Sequence, residues 1–128
     1  MRWKYYNPNP LARNVGDCAV RAVAAALNVS WEEAYAMIAE AGFNMADVMP
    51  ANDVWGSVLR RFGFYRMEIP HDCPDCYTAE DFARENPVGT FVAVFKGHVA
   101  TIHDGMILDT WDSSDEIVRY IWYRKDGR

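Results

Sequence analysis

The sequence predicts an α+β fold, N-terminal helices packed against a C-terminal antiparallel β-sheet, on three observations. Between Asp17 and Phe62 apolar residues recur at helical spacing; after Pro87 the runs become β-branched and aromatic; and short turn sequences divide those runs. Helices first and strands second is the order of an α+β chain rather than of an alternating parallel one. At 128 residues, with 51% hydrophobic and 14% aromatic residues, there is material for one buried core, so residues 1–128 read as a single domain. Disorder, tandem repeats and a multidomain enzyme do not fit these figures.

The first ten residues, rich in Tyr, Asn and Pro, read as an extended arm leading to Arg13-Asn14-Val15-Gly16-Asp17. A first helix is expected from Asp17 to about Asn28, where Val20, Val23, Ala24 and Leu27 form an apolar stripe. Ser30-Trp31-Glu32-Glu33 fits a capping box, and Tyr35, Ile38 and Ala39 carry a second helix to Gly42. A third is expected from Asn52 to Phe62, stopping at Gly63. A short fourth starts at Thr78, which can cap with Asp81, and ends before Asn86-Pro87. Strands are expected over 90–95, 98–103, 106–111 and 117–123, with Lys96-Gly97, Asp104-Gly105 and Asp112-Ser113-Ser114 as the turns.

Composition also bounds the partners. Thirteen Lys+Arg against eighteen Asp+Glu give a net charge of −5, and the basic residues are scattered, so no footprint for nucleic acid is expected. No apolar run has the length of a signal peptide or of a membrane span, which points to a cytoplasmic protein that does not engage a membrane. Three cysteines, Cys18, Cys73 and Cys76, are not the framework of a secreted disulfide scaffold.

Cys18 opens an apolar helix, where unpaired backbone N–H groups and the positive end of the helix dipole favour a thiolate. A buried small apolar residue is the plainer reading of a single cysteine. A thiolate nucleophile also needs a histidine within reach and a group to orient it. If Asp104-Gly105 is a two-residue turn, His103 pairs with Met106, Ala100 with Asp109 and His98 with Trp111. His98 and Asp109 then share one strand face, while His103 points to the other. They are diagonal neighbours at roughly 7–8 Å between backbones, close enough for a carboxylate to meet an imidazole. Asp112 would lie on the opposite face or beyond the strand end. Cysteine, histidine and acid so disposed serve nucleophilic acyl transfer.

Asn14-Val15-Gly16-Asp17-Cys18-Ala19-Val20-Arg21-Ala22, with Gly97-His98-Val99 and Leu108-Asp109-Thr110-Trp111-Asp112, resembles the papain-like cysteine peptidase superfamily. The likeness is to small bacterial and phage members of the peptidase C39-like kind. It implies a helical bundle on an antiparallel sheet with a cleft between them, and a peptide or protein substrate. It also implies Cys18 as nucleophile, His98 as general base and then acid, and Asp109 as the residue that orients His98. Such peptidases commonly carry a Gln six residues before the cysteine for the oxyanion hole; here that position is Ala12, and the nearest amide is Asn14. The Cys18 N–H would be the other donor. Gly16-Asp17-Cys18 with Arg21-Ala22-Val23 is also similar to ovarian-tumour-type deubiquitinases, which match the C-terminal segment less well.

Cys73-Pro74-Asp75-Cys76 has the spacing of half a zinc site, with His71 as a third possible ligand, but no second pair completes four ligands. Zinc, a disulfide and simple loop thiols all remain open, and the expected chemistry needs no cofactor. Trp31, Tyr35, Met37 and Trp55 read as core or groove lining, and Trp111 as core, a shield for the imidazole–carboxylate pair, or cleft lining. The rival reading is a non-catalytic papain-like binding module, with zinc at Cys73 and Cys76 and Cys18 merely buried.

Overall fold

A computed structural model describes residues 2–69 and 72–124. The chain is α+β: β1 (Trp3–Tyr5), α1 (Cys18–Leu27), α2 (Trp31–Met45), α3 (Asn52–Arg61), β2 (Phe64–Glu68), a 3-10 turn (Pro74–Cys76), α4 (Ala79–Glu85), β3 (Thr90–Phe95), β4 (His98–His103), β5 (Met106–Asp109) and β6 (Tyr120–Arg124). One six-stranded sheet runs in the order β1-β5-β4-β3-β6-β2. It is mixed rather than purely antiparallel, because β1 pairs with β5 in parallel while the other pairs are antiparallel.

Strand side chains alternate, and so do the two cores. Val92, Val94, Val99, Tyr120 and Trp122 face α1, α2 and α3, where Val23, Ile38, Trp55, Val58 and Leu59 meet them. Ala93, Phe95, Ala100, Ile102, Ile107 and Ile121 face the other way, onto Ala79, Phe82 and Ala83 of α4. The helices therefore cover both faces.

The capping boxes form as the sequence reads them: Ser30 Oγ accepts from Glu33 N and Glu33 returns to Ser30 N, and Thr78 and Asp81 do the same for α4. Gly42 does not end α2, which continues to Met45 and closes at Ala46 in the left-handed region, φ 54°. Gly42 is needed for a close approach instead, since a Cβ there would meet the Asp47 carbonyl oxygen at 2.9 Å. Asp104 and Gly105, at φ 49° and 77°, form the two-residue turn that fixes the β4–β5 register at His103 with Met106.

Four other boundaries differ from the sequence reading. The N-terminal arm contains β1, which adds to the sheet through Trp3, Lys4 and Tyr5 opposite Ile107, Leu108 and Asp109. β2 is an edge strand whose pairing with β6 has no local sequence signature. β5 ends at Asp109 rather than Trp111, because Asp109 Oδ1 accepts from Thr110 N and draws the chain out of the ladder. β6 begins at Tyr120 rather than Ile117: Val118 N bonds the Tyr77 carbonyl, and Ile117 forms only an isolated bridge with Thr78.

Candidate active site

Cys18 is the first residue of α1, partly exposed, and the free thiol of the described cysteines. His98 is the first residue of β4 and Asp109 the last of β5. The hairpin sets the imidazole against the carboxylate, His98 Nε2 to Asp109 Oδ2 at 2.6 Å. That contact occupies Nε2 and leaves Nδ1 as the ring nitrogen for the hydrogen bond His98 makes with the Cys18 thiol. The start of α1 and the β4–β5 hairpin thus bring the three residues together, in the register the sequence implies. His103 faces away and bonds Thr90 Oγ1 through Nδ1 at 2.7 Å. Asp112 is exposed beyond the strand end and accepts from Ser114 N.

Charge at the site follows from burial and neighbours. Burial disfavours the Cys18 thiolate, but the His98 hydrogen bond and charge, the Val99 N–H and the Arg21 cation outweigh it and hold the thiol below its ordinary value. Burial likewise disfavours protonated His98, yet its bonds to Asp109 and Cys18 raise it from 6.5 to about 9. Asp109 is lowered despite burial, by His98 and Ser113. All three shifts favour the charged forms, thiolate, imidazolium and carboxylate, and the groups titrate together because each is a cause of its neighbour's shift.

Asp109 is 1% exposed and all its acceptor positions are used. Oδ1 takes Thr110 N at 2.8 Å and Arg21 Nη2 at 3.2 Å, and Oδ2 takes Ser113 Oγ at 2.7 Å beside His98. Arg21 also pairs with Asp17, whose Oδ2 accepts from Trp31 Nε1 at 2.9 Å. Asp17 gives no side-chain cap to α1, so the first-turn N–H groups stay open toward the cleft, where an oxyanion can use them. Sequence reasoning assigned no role to Arg21, Asp17 or Ser113. The available signal was an arginine within the apolar stripe of α1.

The site opens into a cleft of about 910 Å³ that runs past Asn14, Gly16, Cys18, Trp31, Tyr35, Met49, Trp55, His98 and Trp111. Trp31 and Tyr35 stack at 5.0 Å on one wall. Trp111 is 43% exposed and lies over His98 with centroids 4.8 Å apart, so it covers the imidazole and lines the cleft rather than filling a core. Asn14 lies on the cleft rim in an exposed loop. Asn9 lines the cleft as well, with its Oδ1 held by Leu11 N and Arg13 N.

Cys73 and Cys76 are joined to one another as a disulfide, with Cα atoms 5.3 Å apart. A pair in that form offers no thiolate to zinc, and His71 lies outside the described residues. Among the described residues no group of three His, Cys, Asp or Glu side chains could hold a metal ion, and no helix is long and apolar enough to cross a membrane. Compared with protein-family models, with curated proteins and with solved structures, the chain finds no match.

Proposed function

We propose that the protein is a cysteine-dependent hydrolase of the papain-like kind, acting on an amide, isopeptide or thioester carbonyl of a peptide or protein. The observation that carries this reading is one histidine bonded on one side to a buried carboxylate and on the other to a thiol at a helix start, at the edge of a cleft. The resemblance of the Cys18, His98 and Asp109 segments to peptidase C39-like enzymes points the same way.

Cys18 Sγ attacks the carbonyl carbon, and the electron pair of the C=O bond moves onto oxygen. The open N–H groups of the first turn of α1, the Cys18 N–H among them, receive that oxyanion, with Asn14 as the nearby side-chain amide. As the tetrahedral intermediate collapses, His98 Nδ1–H protonates the leaving nitrogen or sulfur and a thioester to Cys18 remains. Neutral His98 then takes a proton from water as that water attacks the thioester, and returns it to the departing thiolate or keeps it as the imidazolium. Asp109 holds Nε2–H throughout and is not consumed.

The test is hydrolysis of an activated acyl ester or thioester, with iodoacetamide labelling alongside. Cys18→Ala abolishes both, and His98→Ala slows labelling most below the reference thiol pKa of about 8.5. Turnover that survives Cys18→Ala overturns the reading.

A further inference from the structure

Arg21 is 5% exposed and lies one turn after Cys18 on the same face of α1. Its guanidinium serves two carboxylates at once, Asp17 on its own helix and Asp109 on β5. The pair with Asp17 balances the charge of the buried guanidinium but engages only Nη1. The second arm reaches 88 residues along the chain to the acid that orients His98. The same helix therefore supplies the nucleophile and the cation behind the triad.

Asp109 needs such a cation. Without Arg21, a carboxylate 1% exposed would have the His98 imidazolium as its one cationic partner, and burial would then weigh more heavily against its ionised form. Protonated, it could no longer accept freely from Nε2–H, and the imidazolium that partners the thiolate would lose its support. Arg21 Nη2 and Thr110 N take Oδ1, and this turns Oδ2 toward His98 and Ser113. Trp31 Nε1 holds Asp17, so the guanidinium is fixed from behind as well. The charged and titratable groups around it are Asp17 and Cys18 of α1, His98 of β4, Asp109 of β5 and Tyr6 after β1. Tyr6 is held neutral because burial outweighs the Arg21 charge and raises it to about 12.

We propose that Arg21 is a positioning residue for the Cys18 chemistry: it keeps Asp109 ionised and turned toward His98, and through it sustains the thiolate–imidazolium pair. This rests on the hydrolase reading above. The planar fork matters, because a lysine brings a point charge that cannot bridge both carboxylates in one geometry.

The experiment is the pH profile of iodoacetamide labelling at Cys18 in the wild type, Arg21→Met, Arg21→Lys, Asp109→Asn and Arg21→Met/Asp109→Asn, with circular dichroism on each. In Arg21→Met the acid edge of labelling moves up by about one pH unit, so labelling in the acid limb is about tenfold slower. Arg21→Lys moves it upward by less, and adding Arg21→Met to Asp109→Asn moves it by clearly less than Arg21→Met moves the wild type, the remainder being the direct charge of Arg21 on Cys18. A folded Arg21→Met with the wild-type profile overturns the proposal, as does an equal shift in the Asp109→Asn background. Should Arg21→Met not fold, Arg21→Lys decides: an unmoved edge overturns the proposal. An ordinary thiol profile in the wild type itself would sink the hydrolase reading instead, so the two failures are distinguishable.

Discussion

Thr101 Oγ1 donates a 2.7 Å hydrogen bond to the carbonyl oxygen of Ala22, tying the middle of β4 to α1. The two elements it joins are those that begin with His98 and Cys18. Thr101 is fully buried and stands between Val92 on β3 and Leu108 on β5 in the ladder. A hydroxyl on a buried strand face is an unusual choice unless it is bonded, and here the bond sets how α1 lies across the sheet.

Thr101→Val keeps the shape and removes this bond. The cost is about 1 kcal/mol, a fall of about 4 °C in the melting midpoint for a domain of this size. Labelling of Cys18 slows as well, because the thiol and imidazole lose a shared reference. A thermal melt and a labelling rate at pH 7 check both, and an unchanged rate would show that the apolar packing of α1 alone sets the alignment.

The ionised pair makes a prediction about stability against pH. His98 rises from 6.5 to about 9 on folding, so alone it would contribute stability present below 6.5 and lost as pH climbs through 9. Cys18 is lowered, so alone it would contribute stability present above its ordinary value of 9.0 and lost as pH falls through its folded value. Where thiolate and imidazolium coexist, the folded pair carries one proton. Between 6.5 and 9.0 the unfolded chain also carries one, on the thiol. From the folded value of Cys18 up to about 9 the two contributions cancel and wild-type stability is flat, whereas below that value the folded state holds the extra proton and stability falls as pH rises. In Cys18→Ala only the histidine is left, still bonded to Asp109, so stability falls as pH rises above 6.5. Urea unfolding from pH 6.5 to 9 reads the difference, and a wild-type curve that falls as steeply as that of Cys18→Ala all the way to pH 9 would contradict the ion pair.

Much of the site was legible because its decisive contact is local in the ladder. Asp104-Gly105 fixes a two-residue turn, and counting back from it places His98 and Asp109 on one face. The same logic cannot find β1, three residues long and held by partners more than a hundred positions away. Nor can it find β2, where only Phe64 is buried and Met67 half-buried among exposed residues, without an alternating apolar face. The role of Arg21 is hidden for a related reason: its place in an apolar stripe is explained by Asp109, 88 residues on, and nearby only by Asp17. Ser113 reads as turn chemistry and is in fact a buried donor to Asp109.

The Cys73–Cys76 disulfide is checked by mass. Without reductant, native protein takes one iodoacetamide group, at Cys18; after denaturation and reduction it takes three, since the chain has three cysteines. Added zinc leaves the oxidised protein unchanged, because both loop sulfurs are already bonded to each other. Three groups taken without reductant would mean that the loop thiols are free and would reopen the metal question.

Oxyanion donors and the groups that sustain the thiolate can be separated by the reaction that reads each. Alkylation by iodoacetamide displaces iodide and develops no charge on a carbonyl oxygen, whereas acyl transfer does. A residue that only receives the oxyanion is therefore silent in labelling and visible in turnover. Asn14 lies on the cleft rim near the start of α1, and its side-chain amide is free to turn toward a substrate. Asn14→Ala lowers kcat for an acyl substrate by about 10²-fold, the size of losing one such donor, and leaves the labelling rate at wild type. Asn9→Ala loosens the loop, because Asn9 Oδ1 holds Leu11 N and Arg13 N. If Asn14→Ala leaves kcat unchanged, the first-turn N–H groups of α1 suffice for the oxyanion. In that case the oxyanion is held by backbone that Asp17 leaves uncapped, its carboxylate being committed to Arg21 and Trp31 instead.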